Sequence, residues 1–454
     1  MQQTKGMIGL EIHVYIITKE KLFCRCCASR EKGTKPNIYI CPICCGMPGA
    51  KPMLPNEEAV KQAVRIGLML GCKINETIKW QRKHYDWPDL PKGYQNTISG
   101  AYAIPVGVNG EFHGVKIWSM HLEEDPAAWD PVSGCINYNR SGLPLVEVIS
   151  APDFTTAEEV SEWLKKLLHH LDYLKVVDSN AGMKVDVNVS ISGKTERVEI
   201  KNLNSIENIF LAIEYELERQ MREGSERETR RFDPLKGKTV RMRGKEEQED
   251  YRFISDPDLQ DIVIDSNIIN ELEKSLPEPP KIKLEKMIKR YKIGDRDAGV
   301  LTKHIDIAEF FETVVENVDA KFALPWVSVE LLRLLNKHST SLDKVNIKVE
   351  HFVELLRMVE EGKITVLQGK QFLKKFYPMS FSVREVAGKE RKISDREELK
   401  KVSDQVMKEN KGVVGDYKSG EEKAFNFLMG EIMKKTNRRA DFQVAREVLR
   451  ELLK

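Results

Sequence analysis

Six of the eight cysteines of this chain fall within a short stretch near its N-terminus. They form a Cys-Arg-Cys-Cys motif that begins at residue 24 and a Cys-Pro-Ile-Cys-Cys motif that begins at residue 41. Two such turns are typical of a zinc ribbon, because each turn directs two thiolates toward one tetrahedral zinc ion. The spacing predicts a structural zinc site with four ligands: Cys24, Cys26, Cys41 and Cys44. A cluster of reduced, buried thiols and a disulfide pair in a secreted domain remain as alternatives.

Carboxylates and other polar side chains recur two positions apart in segments that the sequence predicts to be strands, and residues with this spacing share one face. The pairs are Glu11 with His13, Asp186 with Asn188, and Glu199 with Lys201. A further group at a predicted strand end consists of His121, Glu123, Glu124 and Asp125. If these carboxylates converge on one cavity, they require cations between them, and magnesium bound to ATP phosphates favours phosphoryl transfer. Each pair taken singly also fits a solvated strand face.

A loop rich in cations, aromatic residues and prolines follows residue 80. Lys83 and Lys92 are candidates for contact with phosphate oxygens, because an ammonium group offers a compact charge and several donors. Tyr85 and Trp87 are candidates for stacking on a nucleotide base. The same segment also fits a purely structural loop.

The elements that have to position these side chains change in character along the chain. Up to about residue 280 the sequence alternates predicted strands, such as 145–149 and 185–191, with helices, such as one that starts at Thr155 and Thr156 and runs through Leu171. After a proline-rich linker at 276–280 the apolar spacing is helical almost throughout. The predicted fold is α+β, with a mixed-strand cradle domain that carries the zinc knuckle, followed by helical middle and tail domains. The predicted domains are 1–280, 281–398 and 399–454.

Composition excludes several classes of protein. The chain has 454 residues and a net charge of +2, so contact with nucleic acid has to come from local basic patches. Its first residues lack the pattern of a secretion signal, and it contains no apolar run long enough to span a membrane. We therefore expect a cytoplasmic protein.

A series of short motifs resembles, in the same order, those of the GatB family, the B subunits of the tRNA-dependent amidotransferase. The resemblance extends over the whole chain and is strongest to the archaeal type with the cysteine knuckle. The motifs begin at Gly9, Arg82, Pro88, His121, Asn139, Lys201, Glu228, Asp250, Asp416 and Asn426.

This resemblance implies an ATP-dependent ligase that acts on mischarged tRNA. The enzyme would phosphorylate the side-chain carboxylate of Glu on tRNA(Gln) or of Asp on tRNA(Asn), and ammonia would then displace the phosphate. The ammonia would come from a glutaminase A subunit, with a small C subunit as a third partner. The implied magnesium ligands are Glu11, His13, Glu124 and Glu199, with Glu123 and Asp186 close by as further catalytic residues, while Lys83 and Lys92 would neutralise phosphate charge.

The helical tail resembles the tRNA-binding tail of the same family. Its basic group, Lys434, Lys435, Arg438 and Arg439, suits contact with a tRNA backbone, although such cations also occur on solvated helix faces. Two other functions remain as alternatives. One is the related archaeal E subunit, for whose inserted domain the sequence has no room, and the other is a non-enzymatic zinc-ribbon protein that binds tRNA.

Overall fold

The computed structural model describes residues 5–31, 33–178, 182–244, 252–387, 393 and 395–453. The chain divides into two compact units, Met1–Pro279 and Pro280–Lys454. Asp250, which begins one of the family motifs, and the following Tyr251 lie outside the described residues. Within the described ranges, each helix is too short or too polar to cross a membrane.

The N-terminal unit is built on a large mixed sheet. Its strands are β1 (Gly6–Tyr15), β2 (Lys73–Ile74), β3 (Thr77–Ile78), β4 (Gln81–His84), β5 (Tyr94–Thr97), β6 (Gly107–Phe112), β7 (Val115–Glu124), β8 (Ala128–Trp129), β9 (Ile136–Asn137), β10 (Pro144–Ser150), β11 (Met183–Ile191), β12 (Val198–Leu203), β13 (Glu228–Asp233), β14 (Lys238–Gly244), β15 (Arg252–Ser255) and β16 (Ile262–Val263). Its helices are α1 (Glu57–Met69), α2 (Ala157–Leu174), α3 (Ile206–Glu223) and α4 (Ser266–Lys274).

The main sheet has the strand order β14-β13-β12-β11-β1-β10-β7-β5-β4-β15, and β6 pairs with both β7 and β2. Strands β12 and β13 run parallel, whereas β1 is antiparallel to both of its neighbours, β10 and β11. The small pairs β3–β16 and β8–β9 lie outside this sheet.

Alternation along the central strands separates an apolar face from a polar one. In β11 the buried residues Val185, Val187 and Val189 alternate with the partly exposed residues Asp186 and Asn188. The buried face belongs to one core that also contains apolar residues of helices α1, α2 and α3. Because side chains alternate along a strand, burying one face against the helices leaves the polar residues on the other.

The helix predicted to start near Thr156 is confirmed as α2. The Thr156 side chain accepts a hydrogen bond from the Glu159 backbone nitrogen at 3.2 Å, which caps the first turn. The helix continues beyond Leu171 to Leu174, because Leu174 extends its buried stripe, and it ends at Lys175, whose φ is 54°.

The C-terminal unit is helical. Its α-helices are α5 (Pro280–Tyr291), α6 (Asp295–Leu301), α7 (Ile305–Val315), α8 (Ala320–Pro325), α9 (Leu332–Lys337), α10 (Val349–Glu360), α11 (Val366–Lys374), α12 (Val383–Ala387), α13 (Arg396–Glu409), α14 (Lys411–Lys418), α15 (Glu422–Lys435) and α16 (Phe442–Leu453). A π-helical segment, Trp326–Leu331, joins α8 to α9, and Leu342–Lys344 forms a 3₁₀ turn.

Two separate apolar clusters stabilise this unit. One extends from Met287 to Val383, and the other joins Ile393 to apolar residues of α13, α15 and α16. The predicted fold class is confirmed, because a mixed-sheet region is followed by a helical one and a cysteine cluster lies near the N-terminus. The three-part domain division stays a prediction, and α13 runs through residue 399, where the last boundary was placed.

A buried carboxylate on α3 stabilises the packing of this helix against the edge of the sheet. The Glu216 side chain is fully buried and accepts hydrogen bonds from Arg219 at 2.6 Å, Thr239 at 2.7 Å and Gln220 at 3.0 Å. Arg230 of β13 lies 3.6 Å away. Several donors therefore offset the cost of removing this charge from water.

We predict that Glu216→Ala lowers the free energy of unfolding of the N-terminal unit by about 3–5 kcal/mol, because it removes the buried acceptor of the Arg219, Gln220 and Thr239 donors. Thermal and denaturant unfolding measure the change. Glu218→Ala is the matched control, since this residue lies on the exposed side of the same helix and its loss should change stability by less than about 0.5 kcal/mol. Equal effects of the two substitutions would contradict the assigned role of Glu216.

Candidate active site

A cavity of about 580 Å³ opens on the polar face of the main sheet. Nine strands of the sheet contribute to it, together with the loop that joins β4 to β5. Its charged lining residues on the strands are Glu11, His13, Lys83, Glu123, Glu147, Lys184, Asp186 and Lys201. Tyr85, Trp87 and Asp89 line it from the loop. The cavity therefore combines carboxylates, lysines and aromatic rings.

The register of the central strands brings these groups together. Glu11 of β1 lies directly opposite Asp186 of β11, and His13 lies opposite Glu147 of β10. Glu147 in turn lies opposite His121 of β7. Directly opposed residues have Cβ atoms about 4.5–5.5 Å apart, so their side chains interact. Four adjacent strands thus place ionisable groups in contact on one face.

Three carboxylates form an acidic cluster at the cavity, where Glu11 and Asp186 line the wall and Glu199 lies next to them. Glu11, Asp186 and Glu199 each offer an oxygen within 4.8 Å of the others. Lys201 Nζ lies 3.1 Å from Glu199 and 3.4 Å from Asp186, and Asn188 donates a hydrogen bond to Glu11 at 3.0 Å. Burial raises the pKa of Glu11, and the nearby negative charges raise it further. The oxygen-rich donor set suits a hard divalent cation such as Mg²⁺.

A second cluster, centred on Glu147, adjoins these carboxylates. One Glu147 oxygen lies 3.4 Å from His13 Nε2 and the other lies 2.8 Å from His121 Nδ1. Glu123 approaches His13 to 3.6 Å. Burial opposes ionisation of Glu147, but its hydrogen bonds to the two imidazoles hold its pKa well below the usual value.

Glu147 also changes the pKa values of the other members of this cluster. Burial and the charge of Glu147 raise the pKa of Glu123. Burial by itself disfavours the charged form of His13, yet the hydrogen bond and charge of Glu147 raise the pKa of His13 to about 9. Glu147 is therefore the anion of the cluster, with a cationic His13 beside it and Glu123 inclined to keep a proton. Because histidine binds metals only as neutral imidazole, a cation bound by His13 would release a proton.

The structure brings most of the residues singled out in the sequence to this cavity. Glu199, His121 and Asn188 do not line it but lie against residues that do, whereas Lys92 and Glu124 lie elsewhere. The period of a strand puts Glu124 on the opposite face of β7 from Glu123. There Glu124 pairs with Lys92, and it accepts a hydrogen bond from the Asn96 backbone nitrogen at 2.9 Å. Lys92 also donates to the Asn96 side chain at 2.7 Å. These two charges stabilise each other away from the cavity.

Sequence reasoning missed Glu147 and Lys184, which both line the cavity. Glu147 did leave a signal, because it is the one charged residue in the otherwise apolar strand β10. A charge within such a strand requires a partner on an adjacent strand, and His13 and His121 provide it.

The cysteine sulfurs at the N-terminal knuckle also converge. Cys24, Cys26, Cys41 and Cys44 each have a sulfur within 4.8 Å of the others. Cys44 Sγ lies 3.9 Å from Cys41 Sγ and 4.0 Å from Cys26 Sγ. In a tetrahedral zinc site with bonds of about 2.3 Å, the sulfurs are about 3.8 Å apart, so the four thiols fit this ion.

The thiols of this cluster differ in acidity. A hydrogen bond from Cys24 and the charge of Lys21 help to lower the pKa of Cys44 to about 4, although burial acts in the opposite direction. Burial raises the pKa of Cys26 to about 12, and Cys41 contributes to this shift.

The four basic residues of the tail lie together at the C-terminal end of α15 and in the turn that follows it. Lys434, Lys435 and Arg438 are exposed and Arg439 is partly buried. Lys434 lies 3.4 Å from Glu431, and Lys435 lies 2.5 Å from Glu409. The cluster is therefore accessible to a ligand, although acidic neighbours balance part of its charge.

Comparison with known proteins gives a consistent result. Residues 6–270 match the model of the GatB/GatE catalytic domain, and residues 309–453 match that of the GatB domain. The chain is 42% identical to the B subunit of the aspartyl/glutamyl-tRNA(Asn/Gln) amidotransferase of Methanocaldococcus jannaschii, over 100% of this chain and 99% of the relative. The B subunits of the same name from Methanopyrus kandleri and Methanothermobacter thermautotrophicus are 42% and 40% identical, over 98% of this chain and 98% and 99% of theirs.

These matches confirm the family predicted from the sequence motifs, and they extend over both units of the chain. The chain belongs to the GatB family of enzymes, the B subunits of aspartyl/glutamyl-tRNA(Asn/Gln) amidotransferases.

Proposed function

We propose that this chain carries the amidation site of a tRNA-dependent amidotransferase. It transfers the γ-phosphoryl group of ATP to the side-chain carboxylate of Glu on tRNA(Gln) or of Asp on tRNA(Asn), which gives an acyl phosphate and ADP. Ammonia then attacks the acyl carbon and the bond from that carbon to the phosphate oxygen breaks, which gives the amide and inorganic phosphate; the phosphate takes up the proton that ammonia loses. The activation is needed because a carboxylate would have to expel oxide, whereas the acyl phosphate expels phosphate. The convergence of Glu11, Asp186 and Glu199 is the observation that carries this proposal.

These three carboxylates, with His13 and Glu123, would hold Mg²⁺. Held there, Mg²⁺ would supply positive charge that offsets the negative charge developed on phosphate oxygens during phosphoryl transfer. Without a cation the three carboxylates repel one another, and the charges of Glu199 and Asp186 add to burial and to the charge of Glu147 in raising the pKa of Glu11. Glu123 replaces Glu124 in this set, because only Glu123 lines the cavity.

The remaining residues of the cavity would orient the substrates and move protons. Lys83, Lys184 and Lys201 supply positive charge for phosphate oxygens and for the carboxylate that is phosphorylated. Tyr85 and Trp87 offer aromatic faces for a nucleotide base. Glu147, the anion of the cluster beside His13, would accept the proton that the attacking ammonia loses and pass it to the departing phosphate.

The proposal requires partners. The relatives are named as B subunits, which implies an enzyme of several subunits. We propose that a glutaminase A subunit delivers ammonia to the cavity and that a small C subunit completes the assembly. The mischarged tRNA would contact the tail through Lys434, Lys435, Arg438 and Arg439, where phosphate charge attracts the cations.

Zinc has a separate, structural role in this proposal. Four thiolates would fill a tetrahedral coordination shell and leave no position for a reacting water. The distances between the sulfurs support this assignment.

The cation site predicts that Glu11→Gln reduces amidation with ammonium chloride as nitrogen donor by roughly 100-fold, since it removes about 3 kcal/mol of transition-state stabilisation. Free ammonium makes the assay independent of glutaminase. Glu124→Gln is the comparison variant, because Glu124 lies on the face of β7 opposite the cavity. It should lower thermal stability through loss of its pairing with Lys92 but leave the magnesium requirement unchanged. A magnesium requirement raised by Glu124→Gln and unaffected by Glu11→Gln would reverse the assignment.

The knuckle predicts one zinc ion per chain, measured by plasma mass spectrometry of the purified protein. Cys41→Ser should lose this zinc, because three thiolates and a hydroxyl bind it more weakly. Cys135→Ser is the control, since this exposed cysteine lies outside the cluster and its loss should leave the stoichiometry unchanged. Zinc retained in full by Cys41→Ser would refute the ligand set.

The basic tail predicts a salt effect. Changing Lys434 and Arg438 to Gln should reduce the slope of log affinity for tRNA against log salt by about 0.7–0.9 for each lost phosphate contact. The control changes Lys400 and Lys401, which are exposed on α13. If both double variants and the unmodified protein give coincident salt titrations, Lys434 and Arg438 lie on a solvated helix face and do not contact tRNA.

A further inference from the structure

The turn that carries two of the four candidate zinc ligands is tightly wound. Residues 41–47 are joined by hydrogen bonds from the Cys45 nitrogen to the Cys41 carbonyl at 3.1 Å and from the Met47 nitrogen to the Pro42 carbonyl at 2.9 Å. Within this turn Gly46 has a φ of 66°, which favours glycine. The conformation of the turn, and therefore the position of Gly46, depends on the cysteines that would bind zinc.

Gly46 presses against the loop that lines the cavity. A Cβ atom at this position would lie 2.2 Å from the Pro91 carbonyl oxygen and 2.8 Å from the Lys92 nitrogen, closer than real Cβ atoms approach. Pro91 and Lys92 end the loop between β4 and β5, and this loop supplies three lining residues: Tyr85, Trp87 and Asp89. The close contact requires glycine and leaves no gap between the turn and the loop.

The same turn contacts a second loop at the edge of the cavity. The Ser141 hydroxyl donates a buried hydrogen bond to the Cys44 carbonyl at 2.8 Å. Next to it, the Gly142 nitrogen donates to the Asp125 carbonyl at 2.9 Å, and Asp125 lines the cavity. A zinc ligand is therefore separated from a cavity residue by two successive hydrogen-bonded contacts.

The segment after β7, which contains Asp125, in turn contacts the loop between β4 and β5 through a hydrogen bond of 2.8 Å from the Ala127 nitrogen to the Asp89 carbonyl. We infer that the cysteine turn, when its thiolates hold zinc, positions two lining segments of the cavity: the loop between β4 and β5 through Gly46, and the segment that contains Asp125 through Ser141. This inference rests on the proposed zinc site, and it deepens the proposed function because it makes Gly46 and Ser141 positioning residues for that cavity.

The test compares two glycine substitutions in zinc-loaded protein. Gly46→Ala adds a methyl group that strikes the Pro91–Lys92 peptide. Gly49→Ala is a matched control, because Gly49 also has a positive φ, 85°, but has no atom within 4 Å of the position of its Cβ. Both substitutions impose backbone strain, but only the new methyl group of Gly46→Ala contacts the loop between β4 and β5. Zinc stoichiometry is measured in each variant to establish that the metal is retained.

Hydrogen exchange of the loop amides is the primary measurement. The amides of Trp87, Leu90 and Gly93 bond within the loop and should exchange at least roughly tenfold faster in Gly46→Ala than in Gly49→Ala. Removal of zinc from the unmodified protein by a chelator should have the same effect. The inference is overturned if the loop amides exchange equally in the two variants, or if zinc removal leaves them unchanged.

Kinetics separate this inference from the proposed function. In the assembled enzyme, Gly46→Ala should lower kcat/KM for amidation by about 100-fold, as expected when reacting groups are displaced by about 1 Å, while Gly49→Ala stays within about twofold. If the unmodified chain shows no amidation but the exchange difference is present, the proposed function fails and the positioning role stands. Should Gly46→Ala not fold, Ser141→Ala decides by hydrogen exchange of the Ala127 and Gly142 amides, which should be faster than in the control, the exposed Ser133→Ala; equal exchange overturns the inference.

Discussion

Mutual repulsion of carboxylates on one face of a sheet is the constraint on which the N-terminal unit depends. Glu11, Asp186 and Glu199 have oxygens within 4.8 Å of one another, in a partly buried setting where charges interact more strongly than in water. Protonation, neighbouring cations or a bound metal ion can relieve this repulsion. The chain provides Lys201 beside two of the three carboxylates, and burial, together with the charges of Glu147, Glu199 and Asp186, raises the pKa of the third, Glu11. A divalent cation is the natural complement.

The fold tolerates this concentration of charge by keeping the other face apolar. The same strands that carry Glu11 and Asp186 bury Leu10, Ile12 and Val185 in a core shared with the helices. Charged side chains on the polar face cost less free energy than they would in the core, because they remain next to solvent. The knuckle and the loop between β4 and β5 lie beside this arrangement, and contacts at Gly46 and Ser141 help to hold them in place.

The sequence was sufficient to predict the fold class, the cysteine cluster and much of the acidic cavity. The spacing of two residues in Glu11 and His13 implied a shared face, and the structure shows that both line the cavity. It could not indicate which of Glu123 and Glu124 faces inward, because both lie in one strand and their orientation depends on the register of β7 against its neighbours. Glu147 was missed for a related reason, since its partners His13 and His121 are distant in sequence and only cross-strand pairing brings them together.

The central claim is that the carboxylates of the cavity bind the divalent cation required for phosphoryl transfer. Anomalous diffraction from crystals soaked in Mn²⁺, as a substitute for Mg²⁺, tests it most directly. We expect an anomalous peak within about 2.0–2.5 Å of oxygens from Glu11, Asp186 and Glu199. A cavity without a peak at saturating Mn²⁺, or a peak beside Glu124 on the opposite face of β7, would contradict this account.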